Sequence, residues 1–165
     1  IYQLSGKNDE AVADFRKAVS SGFMVQQAYS YISKCLNSME KYAEALKAAD
    51  YGLAADEKFI NLYLNRGVAN YYLNEYEDAV IDFKKVLIRR HEAEIPTVEG
   101  AYRFRGLAYE SLGKDEDAIH DYRMLLRYNS GHADIKERLE NLERKLSESK
   151  QKSRFSIFTR KKKNR

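Results

Sequence analysis

One stretch of this chain occurs twice, and that recurrence constrains the fold more than any other feature of the sequence. Residues 65–87 read NRGVANYYLNEYEDAVIDFKKVL, and residues 104–126, which begin 39 positions later, read FRGLAYESLGKDEDAIHDYRMLL. Nine of the 23 aligned positions are identical, and several others exchange Val, Ile and Leu, Phe and Tyr, or Lys and Arg. Self-similarity on this scale is typical of repeat proteins, in which each unit buries its apolar face against its neighbours.

Small residues set the period of this repeat. Four alanines are spaced by 34, 34 and 39 residues, namely Ala11, Ala45, Ala79 and Ala118. Four positions after each alanine stand Phe15, Ala49, Phe83 and Tyr122, and twelve positions before the last three stand Ser33, Gly67 and Gly106. Small residues allow two helices to approach closely, and large rings fill the space beside the crossing.

The pattern resembles the tetratricopeptide repeat (TPR), a helix–turn–helix unit of 34 residues. The resemblance implies an all-α fold, a right-handed helical-hairpin solenoid of about 3.5 repeats. A partial first repeat would occupy residues 1–25 of a domain that spans residues 1–150. Three full repeats would follow, at residues 26–59, 60–93 and 99–132.

The sequence after the fourth repeat predicts a capping helix and then a basic tail. Apolar residues recur at helical spacing over residues 133–150, namely Ile135, Leu139, Leu142 and Leu146, as the cap of a solenoid requires. The periodicity then stops, and residues 151–165 are predicted to be disordered. Eight cations concentrate at this end, namely Lys150, Lys152, Arg154, Arg160, Lys161, Lys162, Lys163 and Arg165, whereas the rest of the chain has 21 basic and 25 acidic residues. Such a split often marks an interaction tail.

Several interpretations of the basic tail remain open. Phe155, Ile157 and Phe158 lie among the cations, a composition that suits an anionic membrane surface. The same cations would neutralise nucleic-acid phosphates or serve as a nuclear-import address. A solvated end without any ligand is the remaining interpretation. The tail therefore provides an alternative function, in which the protein is an adaptor tethered to an anionic membrane or nucleic acid.

Five extra residues separate the third and fourth repeats, within the segment RRHEAEIPTVEG. The residue before a proline disfavours the α-helical conformation, so Pro96 argues against a helix at Ile95. The sequence therefore predicts that the second helix of the third repeat is lengthened and that a short loop follows it.

Charges at matching positions predict an ion pair inside two of the repeats. An arginine precedes the glycine of repeats three and four, and an aspartate follows each arginine 16 residues later, which gives Arg66 with Asp82 and Arg105 with Asp121. Repeat two has Ile32 and Ala48 at these places and thus lacks both charges together. Because an unpaired charge is costly to bury at a helix crossing, each arginine is predicted to pair with its aspartate.

The resemblance also implies a binding surface. In TPR proteins the first helices of successive repeats line a concave groove. Their counterparts in this chain are Tyr31, Lys34, Asn61, Leu64, Asn65, Val68, Tyr71, Tyr72, Arg103, Phe104 and Leu107. Seven of these are apolar or aromatic and are predicted to form one exposed stripe, a feature that marks interfaces. The predicted function is a protein-interaction scaffold that holds a partner peptide or helix in the groove.

A well-known TPR subgroup binds the acidic C-termini of heat-shock chaperones through a clamp of two lysines, an arginine and two asparagines. In repeats two to four only Asn65 fits that pattern. Ser30 and Lys34 stand where lysine and asparagine are expected, and Gly100 and Phe104 stand where lysine and arginine are expected. The sequence therefore predicts a partner other than a ligand of the chaperone carboxylate clamp.

The sequence contains no constellation that predicts catalysis, a cofactor or a metal. The three histidines are not at metal-ligand spacing with one another or with Cys35. Cys35 has apolar neighbours, where a thiol without a base is inert. A single cysteine forms no internal disulfide, which favours a reducing compartment, so a cytoplasmic location is predicted, with the nucleus as the alternative.

Overall fold

The computed structural model describes the backbone of residues 2–163 and the side chains of residues 7–152, and all regular structure in this part of the chain is helical. Eight helices follow one another: α1 (Tyr2–Ser20), α2 (Val25–Ser38), α3 (Tyr42–Ala55), α4 (Ile60–Tyr72), α5 (Tyr76–Ile88), α6 (Ile95–Ser111), α7 (Asp115–Tyr128) and α8 (Ala133–Lys163). Each helix packs against the next one along the chain. The predicted all-α hairpin solenoid is thus confirmed, with α2–α3, α4–α5 and α6–α7 as its three full repeats.

The two helices of a repeat approach closely because a glycine of the first helix faces a ring of the second. A Cβ atom placed on Gly67 would lie 2.7 Å from Cε1 of Phe83, and one placed on Gly106 would lie 2.6 Å from Cε1 of Tyr122. Both rings are fully buried. Real Cβ atoms do not approach other carbon atoms so closely, so the ring occupies the space that any larger residue would need.

The turn inside each full repeat is the same. Its central residue has left-handed backbone, with φ of 59° at Glu40, 65° at Asn74 and 69° at Gly113. The amide of the following residue donates a hydrogen bond to the carbonyl five residues earlier, for example Lys114 N to Tyr109 O at 2.8 Å. This geometry satisfies carbonyl groups that the end of the first helix leaves free.

The buried apolar residues form one large cluster and two smaller ones. The large cluster extends from Ala79 in α5 to Leu142 in α8. The smaller clusters lie around α2 and α3, one of them including Ile32 and Ala48 and the other including Leu53. The C-terminal half of the solenoid therefore has a continuous core, whereas the N-terminal half has a divided one.

Both predicted Arg–Asp pairs are present, and each one joins the two helices of its repeat. Arg105 donates two hydrogen bonds of 2.7 Å to the carboxylate of Asp121, and Arg66 donates bonds of 2.9 and 2.7 Å to Asp82. Arg66 also bonds Asp50 of α3 at 2.7 Å. Burial raises the pKa of both inner aspartates, and the arginine hydrogen bonds oppose that rise. Each pair therefore offsets a desolvation cost that the carboxylate would otherwise bear alone.

The inserted residues lie elsewhere than the sequence predicts. Helix α5 ends at Ile88 and is not lengthened, whereas α6 begins at Ile95 and has 17 residues, against 13 in α4. Pro96 lies in the first turn of α6. Proline is well tolerated there, because the first amides of a helix have no intrahelical partner and the fixed φ is already helical. The prediction of a loop at this point was wrong, and the insertion adds a turn to α6.

The last helix is longer than the sequence predicts. Helix α1 occupies Tyr2–Ser20 of the partial first repeat, and α8 continues beyond residue 150 as far as Lys163. The prediction that residues 151–165 are disordered is contradicted up to Lys163. This segment has no proline or glycine to end a helix, and its many Lys and Arg residues are good helix formers.

Helix α8 caps the last repeat, and the predicted apolar stripe makes the contact. Ile135 and Leu142 are buried, and Leu139 and Leu146 pack against the same cluster. Ion pairs flank this contact: Arg123 with Glu143, Lys145 with Asp115, and Lys150 with Glu116. The cap therefore covers the apolar face of α7 and exposes its own polar face to water.

We expect Gly106→Ala to lower the free energy of unfolding by about 1–3 kcal/mol, because the added methyl group overlaps the Tyr122 ring. The matched control is Gly100→Ala in the same helix, where the new Cβ would meet nothing closer than Leu64 Cδ1 at 3.4 Å. This control should be neutral or stabilising, because alanine favours helix over glycine. Urea denaturation of both variants measures the difference, and equal effects would contradict the role given to the ring.

We expect Arg105→Ala to lower the free energy of unfolding by about 3 kcal/mol at neutral pH, because it leaves the buried Asp121 without its partner. The double variant Arg105→Ile/Asp121→Ala copies repeat two and should cost less than about 1 kcal/mol.

The loss in Arg105→Ala should shrink as the pH falls. Without arginine, burial keeps the folded-state pKa of Asp121 above its unfolded value, so the folded variant binds the extra proton. Denaturation of both variants at pH 4 and pH 7 checks this, and a loss that does not depend on pH would refute the buried-carboxylate explanation.

Candidate functional site

The first helices of the three full repeats form the inner side of the solenoid. Helix α2 contacts α4, and α4 contacts α6, in addition to the contacts between consecutive helices. Within the described residues the second helices α3, α5 and α7 make no comparable contacts with one another. Because the first helices lie closer together, the stack curves toward them, and α2, α4 and α6 line the concave side.

A hollow of about 380 Å³ lies on this inner side. Its lining includes five of the predicted groove residues, namely Tyr31, Lys34, Asn61, Leu64 and Asn65. Ser30 also lines the hollow, together with five residues that the sequence did not predict, namely Gln27, Phe59, Glu94, Pro96 and Thr97. Glu94, Pro96 and Thr97 were missed by the sequence-based prediction because it assigned Pro96 to a loop. Proline is also common in the first turn of a helix, and this preference could have placed the three residues correctly.

Asn65 holds α2 and α4 together. Its side-chain nitrogen donates hydrogen bonds to the Ser30 carbonyl at 2.9 Å and to the Ser33 hydroxyl at 3.0 Å, and Asn37 donates to the Asn65 carbonyl at 2.8 Å. The Asn65 side chain is buried. The donor of this amide is thus used inside the protein, and Asn65 positions the wall of the hollow.

The predicted apolar stripe is only partly a free surface. Tyr31 and Tyr72 are exposed, with 53% and 47% of their surface accessible. The other five members pack against the core, namely Leu64, Val68, Tyr71, Phe104 and Leu107. These five are half-buried and not fully exposed as expected: all pack against the core, and the rings of Tyr71 and Phe104 also cover each other.

A group of rings lies around the C-terminal end of α4. The ring centroid of Phe104 is 5.6 Å from that of Tyr71 and 6.0 Å from that of Tyr72, and Tyr72 stacks on Tyr42 of α3 at 4.5 Å. Such edge-to-face and stacked pairs stabilise the packing beyond the area that they bury. These rings therefore join three repeats at one end of the inner side.

Arg103 points toward the capping helix. Its guanidinium pairs with Asp134 of α8 and approaches Nδ1 of His132 at 3.4 Å, and Glu99 lies on the other side of His132. The sequence places Arg103 in the groove, but the structure uses it to join α6 to α8. The reason is that α8 places the acidic Asp134 next to α6, the first helix of the fourth repeat. A sequence pattern within one repeat does not reveal such a contact.

Of the predicted basic tail, only Lys150 and Lys152 lie among the described side chains. Lys150 pairs with Glu116, and Lys152 is exposed. The side chains of Arg154, Arg160, Lys161, Lys162, Lys163 and Arg165 lie outside the described residues. A tether to a membrane or nucleic acid has no support from the described contacts.

The described residues contain no cluster of His, Cys, Asp or Glu that could hold a metal ion. No described helix is long and apolar enough to cross a membrane. Burial raises the pKa of the Cys35 thiol, which keeps it in the unreactive protonated form.

Comparison with known proteins finds similarity to parts of larger proteins. The chain is 26% identical over 126 residues to the DnaJ homolog subfamily C member 7 homolog of Schizosaccharomyces pombe, which is 74% of this chain and 24% of that protein. It is 25% identical over 158 residues to the peptidyl-prolyl cis-trans isomerase CYP7 of Saccharomyces cerevisiae, covering 87% of this chain and 40% of that protein. The chain therefore spans less than half the length of either relative. No family model matches it.

Among solved structures, the first TPR of Spaghetti (RPAP3), bound to the HSP90 peptide SRMEEVD, has a similar fold. The TM-score is 0.67 at 23% identity, and the match covers 74% of this chain and 94% of that one. This similarity supports the assigned fold. Because that domain holds a chaperone peptide, the comparison gives no support to the predicted exclusion of such ligands.

We expect Asn65→Ala to lower the free energy of unfolding by about 1–3 kcal/mol, because the buried Ser30 carbonyl and Ser33 hydroxyl both lose the hydrogen bond from the Asn65 amide. The control is Asn61→Ala on the same helix, which removes a single bond from Thr97 and leaves the α2–α4 contact intact. It should cost less than about 1 kcal/mol. Thermal denaturation of both variants measures these losses of stability. A larger loss in Asn61→Ala than in Asn65→Ala would contradict the role assigned to Asn65.

Proposed function

We propose, from the premise that this chain has the TPR fold, that it is a non-catalytic protein-interaction scaffold whose concave side binds a peptide segment of a partner. The observation that carries the proposal is the hollow between α2, α4 and the added turn of α6. The exposed Tyr31 and Lys34 line it from α2, and Asn61 and Glu94 line it from the other side.

The chemistry of the hollow suits a peptide. Its volume lies within the range of roughly 300–1,000 Å³ in which proteins hold ligands of moderate size. Tyr31 offers a large ring with few rotatable bonds and stacks on Phe15 at a centroid distance of 4.9 Å, so binding would order little that is not already ordered. The exposed amide of Asn61, whose oxygen accepts a hydrogen bond from the buried Thr97, provides a polar group for a main chain.

The charges of the hollow favour a partner that differs from the acidic chaperone tails. Lys34 is its single cation among the described lining residues, and Glu94 contributes a carboxylate at the α6 side. A peptide with several acidic residues would meet Glu94 across the groove, which costs binding energy. We therefore propose a ligand with mixed charges, whose acidic group faces Lys34.

Peptide display tests this function. A random peptide library selected on the whole chain should yield sequences whose affinity falls at least about tenfold, or 1.4 kcal/mol, in Tyr31→Ala/Lys34→Ala. The matched control is Lys84→Ala/Tyr128→Ala, which removes the same two exposed residue types from second helices and should leave affinity unchanged. Circular dichroism verifies that both variants fold.

A second arm addresses the ligand class. The peptide SRMEEVD should bind at least about tenfold more weakly than the selected peptides, and Glu94→Gln should improve its affinity. If no peptide is enriched, or if both double variants bind equally, the groove function fails. If SRMEEVD binds as tightly as the selected peptides, only the proposed ligand class fails.

A further inference from the structure

A second cavity, of about 410 Å³, lies outside the concave side, between α1, α2 and α3. The buried Ile32, Leu36 and Ala48 form its floor. Exposed residues of the second helices stand at its rim, among them Arg16, Glu44, Lys47 and Tyr51. Its lining shares no residue with that of the concave hollow.

The same place in the next repeat holds a smaller hollow of about 300 Å³, and six of its seven lining residues have counterparts in the first cavity. Six residues of the first cavity have their counterparts 34 positions later: Arg16 with Asp50, Ile32 with Arg66, Leu36 with Asn70, Glu44 with Asp78, Lys47 with Ile81, and Ala48 with Asp82. The repeat thus provides an internal reference for what this position normally contains.

The floor has opposite character in the two repeats. In repeat three Arg66 lies on the floor of the hollow and hydrogen-bonds both Asp82 and Asp50. In repeat two an isoleucine and an alanine replace the arginine and the inner aspartate, so the floor is apolar, and the cavity is larger. Apolar cavities of this size bind apolar groups, because contact with water is unfavourable for both surfaces.

The rim also changes its charge. Repeat three has two acids there, Asp50 and Asp78. Repeat two has two cations, Arg16 and Lys47, together with the single acid Glu44. Neither cation lies within ion-pair distance of a carboxylate in the described part of the chain. An apolar floor beneath a net positive rim complements a molecule that has an apolar body and an anionic end.

We propose that this cavity binds a small amphipathic carboxylate, with its aliphatic chain on Ile32, Leu36 and Ala48 and its carboxylate at Arg16 and Lys47. Burial of the chain supplies affinity, and charge-assisted hydrogen bonds to the cations select the anion. This site is independent of the peptide groove and does not rest on the function proposed for it.

Octanoate is the probe for this site. Titrated into the 15N-labelled chain, it should cause saturable amide shifts that concentrate at residues around the cavity, including Ile32 and Ala48. Octylammonium, which has the same chain length and the opposite charge, should bind at least about fivefold more weakly, since it loses two ion pairs and gains repulsion. Shifts that do not saturate, or that lie mainly on the concave side, would overturn the proposal.

Two variants separate the floor from the rim. Ile32→Arg/Ala48→Asp copies repeat three, replaces the apolar floor by an ion pair that this fold already accepts, and should abolish octanoate binding. Arg16→Ala/Lys47→Ala changes only exposed side chains. It should lower the affinity for octanoate about fivefold and should not lower the affinity for octylammonium. Undiminished octanoate binding in either variant refutes the site. The second variant keeps this test decisive if the first one does not fold.

Discussion

The fold depends on the close approach of two helices over a glycine. At Gly67 and Gly106 the ring of Phe83 or Tyr122 fills the space that a side chain would need, and this contact sets how near the helices of a hairpin lie. Because the contact recurs with the period of the repeat, successive hairpins have the same shape and stack regularly. The concave side follows from this regularity, since α2, α4 and α6 then lie next to one another. In repeat two Ser33 stands at the position of the glycine and Ala49 at the position of the ring. The residue on the first helix is thus larger than glycine, and the residue on the second helix is smaller than a ring.

Polar groups between the helices add specificity to this apolar frame. An arginine and an aspartate join the helices of repeats three and four, and Asn65 joins repeat two to repeat three. These groups are buried with partners, so a shift of one helix against the other would leave them unsatisfied and would cost free energy. Repeat two lacks the ion pair, and an apolar cavity lies at the same place. Corresponding positions of two similar hairpins therefore have different surfaces.

The repeat, the capping stripe and the Arg–Asp pairs were predictable because each depends on spacing within one or two helices. The start of α6 was not, because a proline either ends a helix or begins one, and only the packed structure decides between the two. For the groove residues, the exposure of the side chain was harder to predict than the helix on which it lies. Tyr71 and Phe104 lie on the inner helices as expected, yet they cover each other, and Arg103 turns to an acid on α8. Such contacts depend on neighbours that are distant in sequence, which the pattern of a single repeat does not contain.

The division of the core has a consequence for cooperativity. Local opening costs least where buried contacts are fewest, so α1–α3, which rest on two small clusters, form a less stable unit than α5–α8 with their continuous core. The concave hollow has one wall on each side of this boundary, with α2 in the weaker part and α6 in the stronger. A ligand that bridges these walls would bind the folded α1–α3 unit and not the locally opened one, and would thereby stabilise it. Occupancy of the groove would therefore suppress local opening of α1–α3 more than that of α5–α8.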